Sequence, residues 1–242
     1  MNIAMILAGG RGNRMRSETP KQYMMLAGKP VLRWSVEAFA ACEKIDGFLI
    51  VCPTEDREWI RENVIMLCED AVREKWIGFA ENGKERYQSS WNGLQMVEGM
   101  FRGETVTVLI HDAARPGVST EMILEILRQT EMYGAVIPMI PVKDTIKVVQ
   151  DGVIVETPDR ATLFAAQTPQ AFDLSAIMEA YEAMFRSGGE HAITDDAQVM
   201  ERYGTLPVHL CPGDEMNLKL TVPEDLQRME QLLREKHYSA DA

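Results

Sequence analysis

The sequence predicts an α/β fold in which a mostly parallel sheet is covered by helices on both faces. Short apolar runs that end at turn residues alternate with longer segments whose apolar residues recur every three or four positions. Strands and helices in this alternation form right-handed βαβ units, which build a parallel sheet. After Pro141 the rhythm changes, and polar and apolar residues alternate around an Asp-Gly pair, a pattern typical of a β-hairpin. We therefore expect one compact domain over residues 1–242 with a protruding β-arm at about 142–160.

The first half of the chain supplies most of the predicted sheet. NIAMIL is short, apolar and followed by glycines, so it reads as a buried strand, and VLRWSVEAFAA after Pro30 has helical spacing. The next elements, alternately strand and helix, are GFLIVC, EDREWIRENVIMLCED, KWIGFA, ERYQSSWNGLQMVEGM, TVTVLI, STEMILEILRQTEM and a last strand, GAVIPMI. A hydrophobic content of 46% over 242 residues is enough for a substantial core.

The second half begins with the hairpin VKDTIKVVQDGVIVETPD around Asp151-Gly152. Helices are expected at about 173–185 and in TDDAQVMERYG, where Thr194 is the predicted N-cap, acidic residues fill the first turn and a glycine ends the helix. A strand LPVHLC, an extended segment NLKLT and a helix PEDLQRMEQLLREK follow. We find no internal repeat or linker.

Positive charge is concentrated at the start of an acidic chain. The formal net charge is −12, yet residues 1–35 hold six arginines and lysines against one glutamate, which gives +5 there and −17 elsewhere. An acidic surface repels nucleic-acid backbones, so general nucleic-acid binding is excluded. The local excess predicts a site for a small anion.

The cysteines and histidines give no sign of a zinc site or a disulfide framework. Cys42, Cys52, Cys68 and Cys211 lack CxxC spacing, and the four histidines are scattered. Reduced cysteines are typical of cytoplasmic proteins. The first apolar run has six residues, too short for a signal peptide, and no run reaches the length of a membrane span. We expect a cytoplasmic protein that does not contact membranes.

The loop AGGRGNRMRSETPK matches neither common glycine motif. Met15 replaces the third glycine of GxGxxG, and the loop is not GxxxxGK[ST]. Glycines still allow backbone N–H groups to approach phosphate oxygens, and Arg14 and Lys21 could neutralise a triphosphate. The alternative is a tight turn between strand and helix with solvated cations.

IHDAARP lies at the carboxyl end of a predicted strand, where ligands bind in open α/β sheets. Asp112 is placed to meet a metal ion or a substrate hydroxyl, and we expect Arg115 to order the loop by pairing with it. An aspartate at this position could equally cap a helix.

Seven segments together resemble one family. LAGGRGNRMRSETPKQY is similar to the signature AGxGxRMxxxxPKQ of cytidylyltransferases that act on polyol phosphates, above all the 2-C-methyl-D-erythritol 4-phosphate cytidylyltransferases. The family's order is kept by GKERYQSSWNGL, IHDAARP, PVKDTIK, TPDRATLFAAQTPQAF, ITDDAQ and NLKLTVPEDL. The resemblance covers nearly the whole chain and implies a Rossmann-like nucleotidyltransferase domain.

The resemblance implies a reaction as well as a fold. Family members bind CTP with Mg²⁺, and the phosphate of a polyol phosphate attacks the α-phosphorus in line and releases pyrophosphate, a step of isoprenoid precursor synthesis. Catalysis of such a step is positioning plus stabilisation of charge on the phosphoryl oxygens. We therefore expect CTP and 2-C-methyl-D-erythritol 4-phosphate as substrates and Mg²⁺ or another divalent cation as cofactor.

The resemblance also assigns roles to residues. Arg14 and Lys21 match the transition-state cations, while Arg160 and Lys219 match the cations that hold the methylerythritol phosphate group. For Asp112 the resemblance favours contact with a metal ion or a substrate hydroxyl over a helix cap. The remaining substrate-binding positions implied are Ala8, Gly9, Gly10, Gly12, Gly83, Ser89, Arg115, Thr145 and Thr168.

Two departures from the family pattern bear on specificity. Asn82 and Lys84 stand where many relatives have paired glycines and often an acidic residue that recognises the cytosine amino group. Because a lysine cannot accept a hydrogen bond, cytosine selectivity rests on backbone carbonyls or is weaker than usual. LAGG is also found in the sister group that uses ribitol 5-phosphate, which is the alternative substrate. A second alternative is a non-catalytic nucleotide sensor on the same fold.

The predicted arm implies a partner. An isolated hairpin is marginal in water, so the valines of the arm need a surface to cover them. In the family the arm embraces a second subunit, and we expect a homodimer in which Thr145 and Arg160 serve the opposite subunit's CTP loop. The alternative is an arm that packs on its own domain.

Overall fold

The computed structural model describes residues 1–10, 19–189 and 193–240, with side chains up to residue 234. Its strands are β1 (Asn2–Leu7), β2 (Met25–Leu26), β3 (Lys29–Pro30), β4 (Gly47–Cys52), β5 (Trp76–Glu81), β6 (Thr107–Asp112), β7 (Ala135–Pro141), β8 (Val148–Gln150), β9 (Val153–Glu156), β10 (Phe164–Ala166), β11 (Gln170–Asp173) and β12 (His209–Pro212). Its helices are α1 (Val31–Ala41), α2 (Arg57–Ile60), α3 (Asp70–Glu74), α4 (Arg86–Met100), α5 (Thr120–Tyr133), α6 (Leu174–Ser187), α7 (Asp196–Tyr203) and α8 (Pro223–Ala240).

The main sheet has the order β10-β7-β11-β6-β1-β4-β5, and β12 pairs with β7. Strands β6, β1, β4 and β5 are parallel, while β11 and β10 run antiparallel to their neighbours. All six residues of β4 are buried, as expected for a strand covered on both faces. The predicted α/β sheet with a parallel centre is confirmed.

The register of the central strands creates the site. Leu7, the last residue of β1, pairs with Asp112, the last residue of β6. On the other side, Cys52 at the end of β4 pairs with Glu81 at the end of β5. Because parallel strands end at one edge of the sheet, the loops after β1, β5 and β6 lie together there.

Helices cover both faces, as predicted. One apolar layer includes Phe39 of α1 and Ile123 of α5, and the other includes Leu94 of α4 and Tyr181 of α6. A third, smaller cluster joins the β2–β3 hairpin to α8 through Leu26, Val31, Leu220, Met229 and Leu233. Within the ranges described above, no helix is both long and apolar enough to cross a membrane.

Two sequence-based predictions need correction. The helix expected over EDREWIRENVIMLCED is interrupted, because α2 passes into a π-helical turn over Arg61–Ile65, and α3 then begins at Asp70. The N-cap of α7 is Asp195 rather than Thr194, since the Asp195 carboxylate accepts the backbone N–H of Gln198 at 3.1 Å.

The predicted hairpin is confirmed. Strands β8 and β9 pair in antiparallel fashion around Asp151 and Gly152, whose φ angles of 50° and 79° are those of a type I′ turn. The apolar side chains of the hairpin are exposed, with Val149 at 56% and Val153 at 63%. In this single chain the arm carries an apolar surface without a cover.

Candidate active site

A pocket opens at the carboxyl edge of the parallel strands. It is lined by Leu7, Gly9, Gly10, Lys21, Gln22, Gly83, Lys84, Glu85, Arg86, Ser89, Asp112, Ala113, Ala114 and Lys219. The lining comes from the loops after β1, β5 and β6 and from the segment before α8. The structure thus brings together Gly9, Gly10, Lys21, Gly83, Ser89, Asp112 and Lys219 of the predicted site.

The glycine loop that follows β1 is held by close contacts with neighbouring segments. Ala8 is buried, and its carbonyl accepts the side-chain amide of Gln22 at 2.7 Å. A Cβ on Gly9 would lie 2.5 Å from Cβ of Asn82, so only glycine lets the two loops approach this closely. The predicted residues Gly12 and Arg14 lie outside the described residues.

The loop after β5 is held by the start of α4. The Ser89 hydroxyl accepts the Gly83 N–H at 3.0 Å, and Glu85 and Gln88 form a capping box. A Cβ on Gly83 would lie 2.2 Å from Cβ of Gln88. Asn82 donates its side-chain amide to the Gly83 carbonyl at 3.1 Å. The backbone of this loop is therefore fixed against the pocket.

Asp112 lies between two cations. Its Oδ2 accepts from Lys219 Nζ at 2.6 Å, and its Oδ1 accepts from Arg86 Nε at 3.2 Å. Burial alone would raise the pKa of Asp112, but the charges of Arg86 and Lys219 outweigh it and hold that pKa well below its usual range. Asp112 is therefore an anion at neutral pH.

A buried hydrogen-bond network lies behind Asp112. The Asp112 N–H donates to the Thr168 hydroxyl at 3.0 Å, and that hydroxyl lies 3.2 Å from Nδ1 of His111. Nε2 of His111 lies 3.1 Å from the Arg115 carbonyl, which can only accept, so Nε2 carries the proton and Nδ1 accepts from Thr168. The Thr168 hydroxyl thus donates one hydrogen bond and accepts another within the protein, and Thr168 is only 4% exposed. This favours a positioning role for Thr168 over the expected contact with substrate.

Arg115 does not make the expected pair with Asp112. Its guanidinium donates to the carbonyls of Asn217 at 2.8 Å and of Ala166 at 3.3 Å. The reason is local, because Arg86 and Lys219 already occupy the two carboxylate oxygens of Asp112. Arg115 instead fastens the segment that carries Lys219.

Two of the lysines that line the pocket, Lys21 and Lys219, are far apart in the sequence. Lys21 Nζ donates to the Leu220 carbonyl at 3.0 Å, next to Lys219. Leu220 itself belongs to the small core formed with α8. The packing of α8 therefore sets both lysines at the same pocket.

The predicted arm residues lie elsewhere. Thr145 and Arg160 are exposed, and Arg160 donates to the Lys143 carbonyl at 2.9 Å. Neither is among the residues that line the pocket. Within one chain, the structure separates these two residues from the other predicted site residues.

The side chains available as ligands determine how this pocket could bind a metal ion. Across 1–10, 19–189 and the described side chains after 192, no group of three or more His, Cys, Asp and Glu could enclose a metal. Mg²⁺ is commonly held by one or two carboxylates together with substrate phosphates. Asp112 fits that arrangement, because each carboxylate oxygen has a further lone pair beyond its contact with Lys219 or Arg86.

Sequence reasoning missed several residues that build the site. Gln22 and Arg86 line the pocket, while His111 and Asp196 support it from buried positions. Arg86 and Asp196 both fall inside the motifs GKERYQSSWNGL and ITDDAQ, and their opposite charges were the available signal.

Comparison with known proteins agrees with this geometry. The sequence model of the family described as 2-C-methyl-D-erythritol 4-phosphate cytidylyltransferase matches residues 2–235. The chain is 42% identical over 228 residues to a protein of that name from Lachnospira eligens, covering 94% of this chain and 96% of the relative. It is 44% identical over 232 residues to the protein of the same name from Geobacillus thermodenitrificans, covering 95% of this chain and 96% of that relative.

Solved structures are similar as well. The crystal structure of 4-diphosphocytidyl-2C-methyl-D-erythritol synthase from Anaerococcus prevotii superimposes with a TM-score of 0.81 at 27% identity, covering 96% of each chain. A 2-C-methyl-D-erythritol 4-phosphate cytidylyltransferase from Thermus thermophilus gives a TM-score of 0.72 at 26% identity, covering 95% of this chain and 98% of that chain. With its sequence, fold and pocket in agreement, this chain belongs to the 2-C-methyl-D-erythritol 4-phosphate cytidylyltransferase family.

Proposed function

We propose that the pocket at the ends of β1 and β6 binds CTP and brings its α-phosphorus to a second, phosphate-bearing substrate. As a member of its family the chain is a cytidylyltransferase of the methylerythritol phosphate pathway, which forms CDP-methylerythritol and pyrophosphate from CTP and 2-C-methyl-D-erythritol 4-phosphate. The observation that carries the assignment of the pocket is that Lys21, Lys219, Asp112 and two glycine-bearing loops line the same pocket.

In the proposed reaction, a phosphate oxygen of the polyol phosphate attacks the α-phosphorus and the bond to the bridging oxygen of the β-phosphate breaks. Pyrophosphate leaves from the opposite side, so no covalent enzyme intermediate is needed. Lys21 and Arg14 stabilise the charge that builds on the phosphoryl oxygens. Lys219 holds the attacking phosphate, and its contact with Asp112 keeps the ammonium group in place.

The nucleotide is held mainly by the loops. The glycine loop after β1 offers backbone N–H groups to the phosphates. Gly83 and Ser89 line the pocket, and we propose that they contact the base and ribose, while Lys84 adds a donor but no acceptor. We propose that backbone carbonyls of this loop read the cytosine amino group.

Asp112 is the residue that we propose for the divalent cation. Together with the triphosphate and water it provides the oxygen ligands that Mg²⁺ prefers. Mg²⁺ bound there would neutralise phosphate charge and orient the triphosphate.

We further propose that residues 1–242 act as one nucleotidyltransferase domain and pair as a homodimer through the arm at about 142–160. Two observations support a pairing role: the arm's valines are exposed, and Thr145 and Arg160 lie outside the pocket of their own chain. A cytoplasmic location suits four buried cysteines that form no disulfide.

The direct test supplies CTP and Mg²⁺ with either methylerythritol phosphate or ribitol 5-phosphate and measures pyrophosphate release. We expect turnover with methylerythritol phosphate and little with ribitol phosphate. Preference for ribitol phosphate would contradict the assignment of methylerythritol phosphate as the second substrate. CTP binding without turnover of either compound would indicate a nucleotide sensor.

A further inference from the structure

A fully buried carboxylate contacts the pocket from behind. Asp196 is the first residue of α7 and is 0% exposed. Its Oδ1 accepts the Tyr181 hydroxyl at 2.7 Å, and its Oδ2 accepts Arg86 Nη1 at 2.7 Å. A buried charge persists only with such partners. Asp196 does not line the pocket, whereas Arg86 does.

Alternating charges connect this carboxylate to the reacting groups. From the pocket inward the order is Lys219, Asp112, Arg86 and Asp196, and Tyr181 is the last donor. Arg86 lies 2.7 Å from Asp196 but 3.2 Å from Asp112. The shorter contact indicates that Asp196 fixes the guanidinium, and the guanidinium then contacts Asp112 from a set position.

The inner end of this series is rigidly packed. Tyr181 is fully buried, and its ring stacks on Trp91 of α4 with centroids 5.8 Å apart. Burial and the charge of Asp196 hold the pKa of Tyr181 well above its ordinary value, so its hydroxyl remains a donor. Arg86 is the first residue of α4 and lies between Glu85 and Gln88, which form the capping box. Both ends of the Arg86–Asp196 contact therefore belong to packed helices.

We propose that Asp196 and Tyr181 are positioning residues for cytidylyl transfer: they fix Arg86, which orients Asp112 and through it Lys219. This inference rests on the proposed function of the pocket. Arg86 contacts two carboxylates, those of Asp196 and Asp112. If the charge of Asp196 is removed, Asp112 is the one that remains. Arg86 then closes on Asp112 and draws it from the position in which it holds Lys219.

If the contact between Arg86 and Asp196 were purely structural, a different result would be expected. If the pair only joins α7 to α4, its loss lowers stability but leaves the turnover of folded molecules unchanged. Asp195→Asn is the matched control, because Asp195 precedes Asp196, caps the same helix and pairs with Gln170 at 2.8 Å instead of Arg86. It removes a structural carboxylate with the same chemical change.

The first experiment measures kcat, both KM values and the melting temperature for Asp196→Asn, Tyr181→Phe and Asp195→Asn. We expect Asp196→Asn to lower kcat roughly tenfold or more while the KM for CTP changes less than about threefold, since the loops carry ground-state binding. Tyr181→Phe should lower kcat by a smaller factor, because Arg86 keeps its partner. Asp195→Asn should lower the melting temperature and keep the wild-type kcat.

The second experiment places Asp196→Asn in an Arg86→Met background. If Asp196 acts through Arg86, it should cause no further loss of kcat there, and it should raise the melting temperature of Arg86→Met by removing an unpaired buried charge. An equal loss of kcat in both backgrounds would overturn the inference, as would an unchanged kcat for both Asp196→Asn and Tyr181→Phe. Should Asp196→Asn fail to fold, Tyr181→Phe and the Arg86→Met pair decide. A wild-type enzyme without turnover would instead remove the proposed function, and the inference with it.

Discussion

Thr168 donates its hydroxyl hydrogen to Nδ1 of His111 across 3.2 Å while accepting the N–H of Asp112. The imidazole is fully buried, with its other nitrogen 3.1 Å from the Arg115 carbonyl. Burial lowers the pKa of His111 to about 4, against an ordinary value of 6.5. The backbone at Asp112 is therefore supported by a histidine that must stay neutral.

The first prediction concerns acid stability. Because the folded-state pKa of His111 is depressed, the unfolded chain binds more protons between about pH 6.5 and pH 4, and the stabilisation present above pH 6.5 is lost as the pH falls towards 4. Wild-type protein in EDTA should lose up to about 3 kcal/mol more unfolding free energy over pH 7 to 4 than His111→Gln. Urea unfolding at each pH measures this.

His209→Gln, on the edge strand β12, is the control for loss of an imidazole and should follow the wild-type curve. If the unfolding free energies of wild type and His111→Gln fell in parallel as the pH is lowered, His111 would not be the cause of the loss of stability in acid.

The second prediction concerns Lys21. If its charge acts mainly in the transition state, Lys21→Ala should lower kcat far more than CTP affinity. Calorimetry with CTP and steady-state assays separate the two quantities. Lys75→Ala is the matched control, because Lys75 also donates to a backbone carbonyl, that of Cys42 at 2.9 Å, but does not line the pocket. Abolished CTP binding with normal turnover at saturation would refute the assignment.

The third prediction concerns Gly83. Gly83→Ala places a Cβ 2.2 Å from Cβ of Gln88 and 3.0 Å from the Ser89 nitrogen, so the loop must shift. We expect CTP affinity to fall at least about tenfold, equivalent to roughly 1.4 kcal/mol. Gly99→Ala, at the other end of helix α4 and with no atom near its added Cβ, should keep wild-type affinity and be slightly more stable. Unchanged affinity in Gly83→Ala would show that this loop does not contact the nucleotide.

The fourth prediction concerns sharing of sites between subunits. Arg14→Ala and Arg160→Ala chains, each inactive alone, should regain about a quarter of wild-type activity when co-expressed, because half the dimers are mixed and one of their two sites is intact. Co-expression of Arg14→Ala with Lys21→Ala is the control and should give no recovery, since both residues belong to the segment AGGRGNRMRSETPK and would serve the same half of each site. No recovery in the first pair would mean that each site is built within one chain.

The sequence was sufficient for the elements whose signals are local. Apolar runs identified the central strands, and Asp151-Gly152 identified the hairpin, because strand burial and turn geometry depend on neighbouring residues. Parallel pairing then placed Asp112 beside the glycine loop, which the register of Leu7 with Asp112 confirms.

The contacts that refine the site carry no such local signal. Arg86 and Asp196 are 110 positions apart, and Thr168 and His111 are 57 apart. Their pairing depends on how helices pack, as does the choice of Arg86 rather than Arg115 as the partner of Asp112. At α7 two adjacent residues could each cap the helix, and side-chain geometry selected Asp195 over Thr194.

The contact between Lys21 and Leu220, 199 positions apart, also bears on the order in which the enzyme is made. A ribosome delivers the glycine loop well before the segment with Lys219, and the α8 residues Met229 and Leu233, which cluster with Leu26, come later still. Translation must therefore have passed Leu233 before the packing that holds both lysines at the pocket is complete. Nascent chains released early would have the loop without its counterpart, so unfinished enzyme would not turn over CTP.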